Sequence, residues 1–104
     1  MSADNFKLPS GKELIVLQFL VTSREMYGLE MVKASNKLAR GTVYVLLGRM
    51  EDKGFITSRK EKEEGRPGMP KRLYKITGLG QRAYAAWRRA QEVYMGAPVF
   101  AGGG

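Results

Sequence analysis

Arg40, Thr42, Tyr44 and Arg49 are the residues of this chain whose types and spacing best suit chemistry at a surface. With Val45 they lie on one side of the segment Arg40-Gly-Thr-Val-Tyr-Val-Leu-Leu-Gly-Arg-Met-Glu51. On its other side Val43, Leu46, Leu47 and Met50 stand at i, i+3, i+4 and i+7, the spacing of one helix face. A guanidinium can hold guanine O6 and N7 in bidentate fashion. Threonine can meet a thymine methyl or a phosphate, and tyrosine can donate to phosphate. A helix that buries one side and offers a basic, hydroxyl-bearing side suits insertion into a DNA groove. Taken alone, the same face reads better as the solvated side of an ordinary surface helix. Tyr44 has a further reading, with its ring packed against the preceding helix.

Other chemistries are excluded by residue type. The chain has no His and no Cys, which removes imidazole bases, His-dependent triads and thiolate or imidazole zinc sites. Glu51 and Asp52 are adjacent and so project to different sides of a helix, which makes no catalytic carboxylate pair. No Gly-rich phosphate loop precedes a helix. No catalytic residue, metal or cofactor is therefore expected.

The 104 residues suit one domain with a modest core, and a hydrophobic content of 43% marks a globular chain. No apolar run approaches the roughly 18–20 residues that span a bilayer. The first residues lack the charged-then-apolar order of a signal peptide. A cytoplasmic, nucleoid-associated location is expected. The net charge is +8, with a pI near 10.0, and favours a polyanionic partner. Between Lys37 and Lys75 eleven Lys and Arg face five Asp and Glu, so this span carries +6 of the +8. High pI alone keeps a small protein soluble; concentration on one segment asks for more.

Several elements must position these residues. Ser10-Gly-Lys-Glu13 fits the capping box that opens a helix, and Leu14–Val21 follows it, apolar nearly all round. Such a helix is buried on most sides, in the core or at an oligomer interface. A second helix is expected over about 25–34 and a third over about 38–53, ended at Gly54. Strands are expected over 55–60 and 71–76. Gly65, Pro67, Gly68 and Pro70 place turns between them, which gives a protruding hairpin. Thr77 can cap a fourth helix over about 78–95, with Pro98 as its stop.

Three helices, a hairpin and a fourth helix form the order of a winged helix-turn-helix, a mainly α (α+β) fold. The division expected is a flexible N-terminus at 1–9, a winged-helix DNA-binding domain at 10–77, a C-terminal dimerisation helix at 78–95 and a flexible tail at 96–104.

From Met26 to Gly80 the chain resembles the PadR-like transcriptional regulators. Met26-Tyr-Gly-Leu-Glu-Met31 is similar to that family's Tyr-Gly-x-Glu-Ile. Gly41-Thr-Val-Tyr-Val-Leu-Leu-Gly-Arg-Met-Glu51 is similar to its Gly-Thr-Leu-Tyr-Pro-Leu-Leu-x-Arg-Leu-Glu. Lys71-Arg-Leu-Tyr-Lys-Ile-Thr-Gly-Leu-Gly80 is similar to its Arg-x-Tyr-Tyr-x-Leu-Thr-x-x-Gly. Val45 replaces the usual Pro, and Gly48 stands where a basic residue is common. The resemblance implies a homodimeric repressor that binds double-stranded DNA at an inverted-repeat operator. It also implies dimerisation through the last helix with help from the first, and a small aromatic effector.

On this reading Arg40, Thr42, Tyr44 and Arg49 touch DNA from the third helix, and Arg66, Lys71 and Arg72 touch it from the wing. The nearly balanced Lys60-Glu-Lys-Glu-Glu64 is a solubilising edge. Leu79, Ala83, Ala86, Trp87, Ala90 and Tyr94 share a stripe of the fourth helix, whose small Ala residues beside one Trp allow a second helix close. This stripe and Leu17 of the first helix are the expected dimer interface. Two other functions fit the same charge and fold: an architectural binder of nucleic acid, and a protein–protein adaptor.

Overall fold

In the computed structural model, which describes residues 8–61 and 71–103 (those after 92 as helix backbone only), the apolar run after Ser10 forms α1, Gly11–Ser23. Its start is the expected capping box. The Ser10 N–H donates to Glu13 Oε1 at 2.9 Å, and the Glu13 N–H points back at Ser10 Oγ at a long 3.5 Å. Val16, Leu17 and Leu20 are buried on α1.

Arg24 then turns the chain, with φ 70° and ψ −58°. Residues Glu25–Tyr27 form β1, and helix α2 is only Gly28–Ala34. This corrects the expected helix over 25–34. Met26 and Leu29, three residues apart, match a helical period, and a strand of three residues is too short to display alternation against it. What makes it a strand is pairing with a distant segment. β1 runs antiparallel to β3, Lys71–Ile76, with Met26 opposite Tyr74. β3 also pairs with β2, Ile56–Glu61, so the sheet has three strands in the order β1-β3-β2 where two were expected.

Helix α3 covers Val43–Asp52, starting later than the sequence suggests. Residues 40–42 form a turn, closed by the Thr42 and Val43 N–H groups on the Ala39 carbonyl at 3.1 and 2.8 Å. Leu38 remains in the core from its turn. The end of α3 follows from Gly54, whose φ of 83° suits a residue without Cβ. There the Phe55 N–H reaches the Met50 carbonyl at 3.0 Å and the Gly54 N–H reaches Glu51 at 2.9 Å, the paired bonds of a Schellman stop.

Helix α4 spans Gly78–Gly103, so its backbone stays helical past Pro98, where a stop was expected. A proline removes one helix hydrogen bond and crowds the preceding turn; it penalises a helix without forbidding it. The Thr77 hydroxyl caps α4, accepting from the Gly80 N–H at 3.0 Å, while its proton faces the carbonyls of Gly54 (2.5 Å) and Phe55 (3.0 Å). One side chain thus joins the end of α3 to the start of α4. The core gathers Leu17, Leu20, Met31, Leu47, Met50, Phe55 and Ile76 between α1, α3 and the sheet.

Candidate nucleic-acid interface

Burial divides α3 as its sequence does. Val43, Leu47 and Met50 point into the core. Thr42, Val45 and Arg49 are exposed, and their spacing of three and four residues sets them on one outward stripe. Thr42 is the residue before the first turn, and its side chain makes no capping bond. Arg40 is also exposed, on the turn leading into α3 and not on the helix itself. Neither Arg40 nor Arg49 has an ion-pair partner among the described residues.

Tyr44 belongs to a different part of the helix. It is 49% exposed, yet its ring edge lies over the start of α2. A Cβ added at Gly28 would sit 2.8 Å from Tyr44 Cε1 and 3.1 Å from its hydroxyl oxygen. Gly28 therefore seats the ring, and the Tyr44 hydroxyl is carried on the α2 side of α3.

The sheet holds its charges tightly. Arg59 of β2 reaches across β3 to Glu25 at 2.8 Å and also pairs with Glu61 at 3.0 Å. The hydrogen bond from Arg59 holds the Glu25 carboxyl below the usual carboxylate range. Lys71 and Arg72 are successive strand residues and so leave opposite faces of the ribbon. The Lys71 ammonium lies 5.2 Å from the centre of the Tyr27 ring. Arg72 donates to Ser58 Oγ at 2.9 Å, and Ser58 donates to Glu51 at 2.8 Å, which ties the wing's root to α3. Arg66 and the turns beyond Glu61 lie outside the described residues.

A third ion pair braces the end of α3 from behind. The Lys53 ammonium meets Glu13 at 2.7 Å, with the Glu13 side chain only 3% exposed. Burial alone would push the Glu13 carboxyl up, but the Lys53 ammonium and the Ser10 N–H and hydroxyl together hold it below the usual range.

On α4, Ala83 is wholly buried, as is Leu17 on α1. Both belong to the chain's own core and present nothing to a second copy, which corrects their expected place at an interface. Most of the apolar pattern of α1 is used within the chain, with Val21 left 47% exposed. Leu79 is half-buried against the core. Further along, Ala86, Trp87 and Ala90 are half-buried, and Trp87 stacks on Tyr84 with centroids 6.3 Å apart and planes at 24°. The Tyr94 side chain lies outside the described residues.

A family model for the transcriptional regulator PadR-like family matches residues 16–86. The chain belongs to the PadR-like family. Its members regulate transcription and are not enzymes, so this PadR-like chain is a DNA-binding transcription regulator with a winged-helix fold. Similar solved structures include a PadR family transcription regulator from hypervirulent Clostridium difficile, with a TM-score of 0.64 and 23% identity over 88% of this chain and 96% of that one. A PadR-like transcriptional regulator from Bacillus cereus has a TM-score of 0.63 and 20% identity over 88% of this chain and 91% of that one. The circadian clock associated protein Pex from Anabaena is more distant, with a TM-score of 0.53 and 23% identity over 79% of this chain and 78% of that one. At these identities the likeness is one of fold. No curated protein matches the chain in sequence.

Against the PadR-like pattern, the residue that sequence reasoning left out of the site is Val45. At 57% it is more exposed than Tyr44, and it sits at the centre of the outward stripe. Helical spacing already sets it on the outward side with Thr42 and Arg49; what kept it out of the expected contacts is its apolar type.

Proposed function

We propose that this PadR-like chain is a homodimeric repressor at an inverted-repeat operator. Arg40, Thr42, Tyr44 and Arg49 would face DNA from α3 and its leading turn, with Arg66, Lys71 and Arg72 on the wing. Leu79, Ala86, Trp87, Ala90 and Tyr94 would face the second copy. The observation that carries the reading is the contrast among the arginines. Arg59 is paired twice inside the sheet, whereas Arg40 and Arg49 stand exposed with no ion-pair partner among the described residues. Unpaired cations beside an exposed helix stripe are what phosphate and base edges require. A half-buried Trp87 among small Ala residues supports the dimer, because a tryptophan supplies a large desolvated area at low entropy cost.

Selection of duplexes from a random pool tests the specific reading. A two-fold symmetric motif is expected, with half-sites about 10 bp apart centre to centre. Binding without sequence preference would instead leave an architectural protein. Sedimentation tests the dimer: the wild type should be dimeric at micromolar concentration, and Trp87→Ala should shift toward monomer with weaker operator binding and unchanged base preference. A monomeric wild type would remove α4 from the interface.

A small aromatic effector would sit in the groove of about 1040 Å³ between α1, β1, β3 and α4, lined by Leu20, Arg24, Lys75, Tyr84 and Arg88. Tyr84 stacks on Trp87, so occupancy should change Trp87 fluorescence. Titration with small aromatic acids and cations that left it unchanged would speak against this use of the groove.

A further inference from the structure

Val45 is the most exposed large apolar side chain among the described residues, at 57%. Nothing in the fold asks for it. A β-branched residue is a mediocre helix former, and here it buries no core surface in return. One turn on, Gly48 leaves the helix backbone bare, and a Cβ built there would meet nothing within 4 Å. The fold does not require that glycine either. Val45 stands between Thr42 and Arg49 on the exposed stripe, with Arg40 exposed on the leading turn.

Valine has no donor or acceptor, so it cannot read the hydrogen-bonding edge of any base. The apolar feature a major groove offers is the 5-methyl group of a pyrimidine, which thymine carries and unmodified cytosine lacks. Bare backbone at Gly48 lets the helix come near the base edges without a side chain in the way. We propose that Val45 is a specificity-determining residue that reads a pyrimidine 5-methyl group in the major groove, so that each half-site carries a thymine or a 5-methylcytosine beneath it. This rests on the reading of α3 as the DNA-facing helix.

The test uses the full chain and the duplex recovered by random-pool selection. Each thymine is replaced by deoxyuridine, one symmetric pair of positions at a time, and affinity is measured by fluorescence anisotropy. At one pair the wild type should lose about four-fold per half-site, the worth of roughly one buried methyl group. Val45→Ala should lose that sensitivity, bind the deoxyuridine duplex as tightly as the wild type does, and keep its response at every other position. In a second arm, the base pair at that position is changed to carry cytosine, and 5-methylation of that cytosine should strengthen wild-type binding but not that of Val45→Ala.

If selection yields no preferred duplex, the specific-binding reading fails and takes this proposal with it. If a duplex is found but no thymine is sensitive to loss of its methyl, or Val45→Ala keeps the same sensitivity, the role of Val45 alone is overturned. Circular dichroism of Val45→Ala separates a binding change from misfolding, and a side chain this exposed should leave the spectrum unchanged.

Discussion

Gly48 and Gly80 both sit inside helices, and their surroundings are opposite. At Gly48 an added Cβ would meet open space; at Gly80 it would run into the Phe55 carbonyl and lie 2.8 Å from the Ile76 side chain. The regions around them differ in the same way. Near Gly80, the Thr77 hydroxyl links Gly54, Phe55 and the start of α4. Near Gly48, Val45 and Arg49 are exposed to solvent. Where α3, β2, β3 and α4 meet, the fold dictates residue types. On the outward side of α3 it dictates almost none, so those residues are available to be set by what they bind.

The sharpest way to break this contrast is Gly80→Ala. The methyl cannot be housed without moving backbone, so denaturation should show a loss of about 3 kcal/mol, at the upper end for overpacking. A loss below 1 kcal/mol would mean the junction is looser than its geometry implies.

Next in size is the outward side. Arg49→Ala should cost roughly 1–3 kcal/mol of operator affinity if it touches a base, with specificity relaxed at one position. Arg40→Ala should behave alike if it reads a base. If it meets phosphate, it should weaken all sequences about equally and flatten the salt dependence. Thermal midpoints should stay put for both. A midpoint that fell with the affinity would return these arginines to the fold.

Gly48→Ala should do the reverse of Gly80→Ala. With room for the methyl and a helical φ, stability should rise by about 1 kcal/mol. Operator affinity should stay level or fall, depending on how near the DNA comes. A destabilised Gly48→Ala protein would mean that the glycine is required by packing after all.

The same contrast explains how far the sequence could be read. Local rules were legible: the Ser10–Glu13 box, the stop at Gly54 and the Thr77 cap each act within a few residues. The two sides of α3 were legible because one helical period separates them. Features made by distant partners were not. β1 is a strand because Met26 finds Tyr74, and its three residues carry no alternation of their own. Leu17 could not be divided between core and interface, since an apolar run looks the same in both. Tyr44 could be placed beside α2 only as one alternative; its ring does lie against Gly28, while the residue stays 49% exposed and open to a partner. Nothing local marked Lys53 as the partner of Glu13, 40 residues earlier.

That last pair gives the smallest effect and one with a definite sign. The Glu13 carboxyl is held below its usual range, so its contribution is present above the ordinary glutamate value of 4.5 and lost as pH falls through the depressed folded value. Lys53→Met removes the ammonium and leaves a carboxylate whose burial pushes the other way. The stability difference between wild type and Lys53→Met should be greatest near pH 7. There it should be about 1 kcal/mol or less, because the Lys53 side chain is 43% exposed and water screens that end of the pair. As pH falls through the depressed folded value the difference should shrink, because Glu13 takes up its proton. It should not vanish, because the Lys53 ammonium also lies 5.9 Å from the centre of the Phe55 ring, and that attraction does not depend on the charge of Glu13. Urea denaturation at stepped pH separates the two parts. A difference that stayed constant from pH 7 to pH 3 would assign the whole effect to Phe55 and leave Glu13 as a cap for α1 alone.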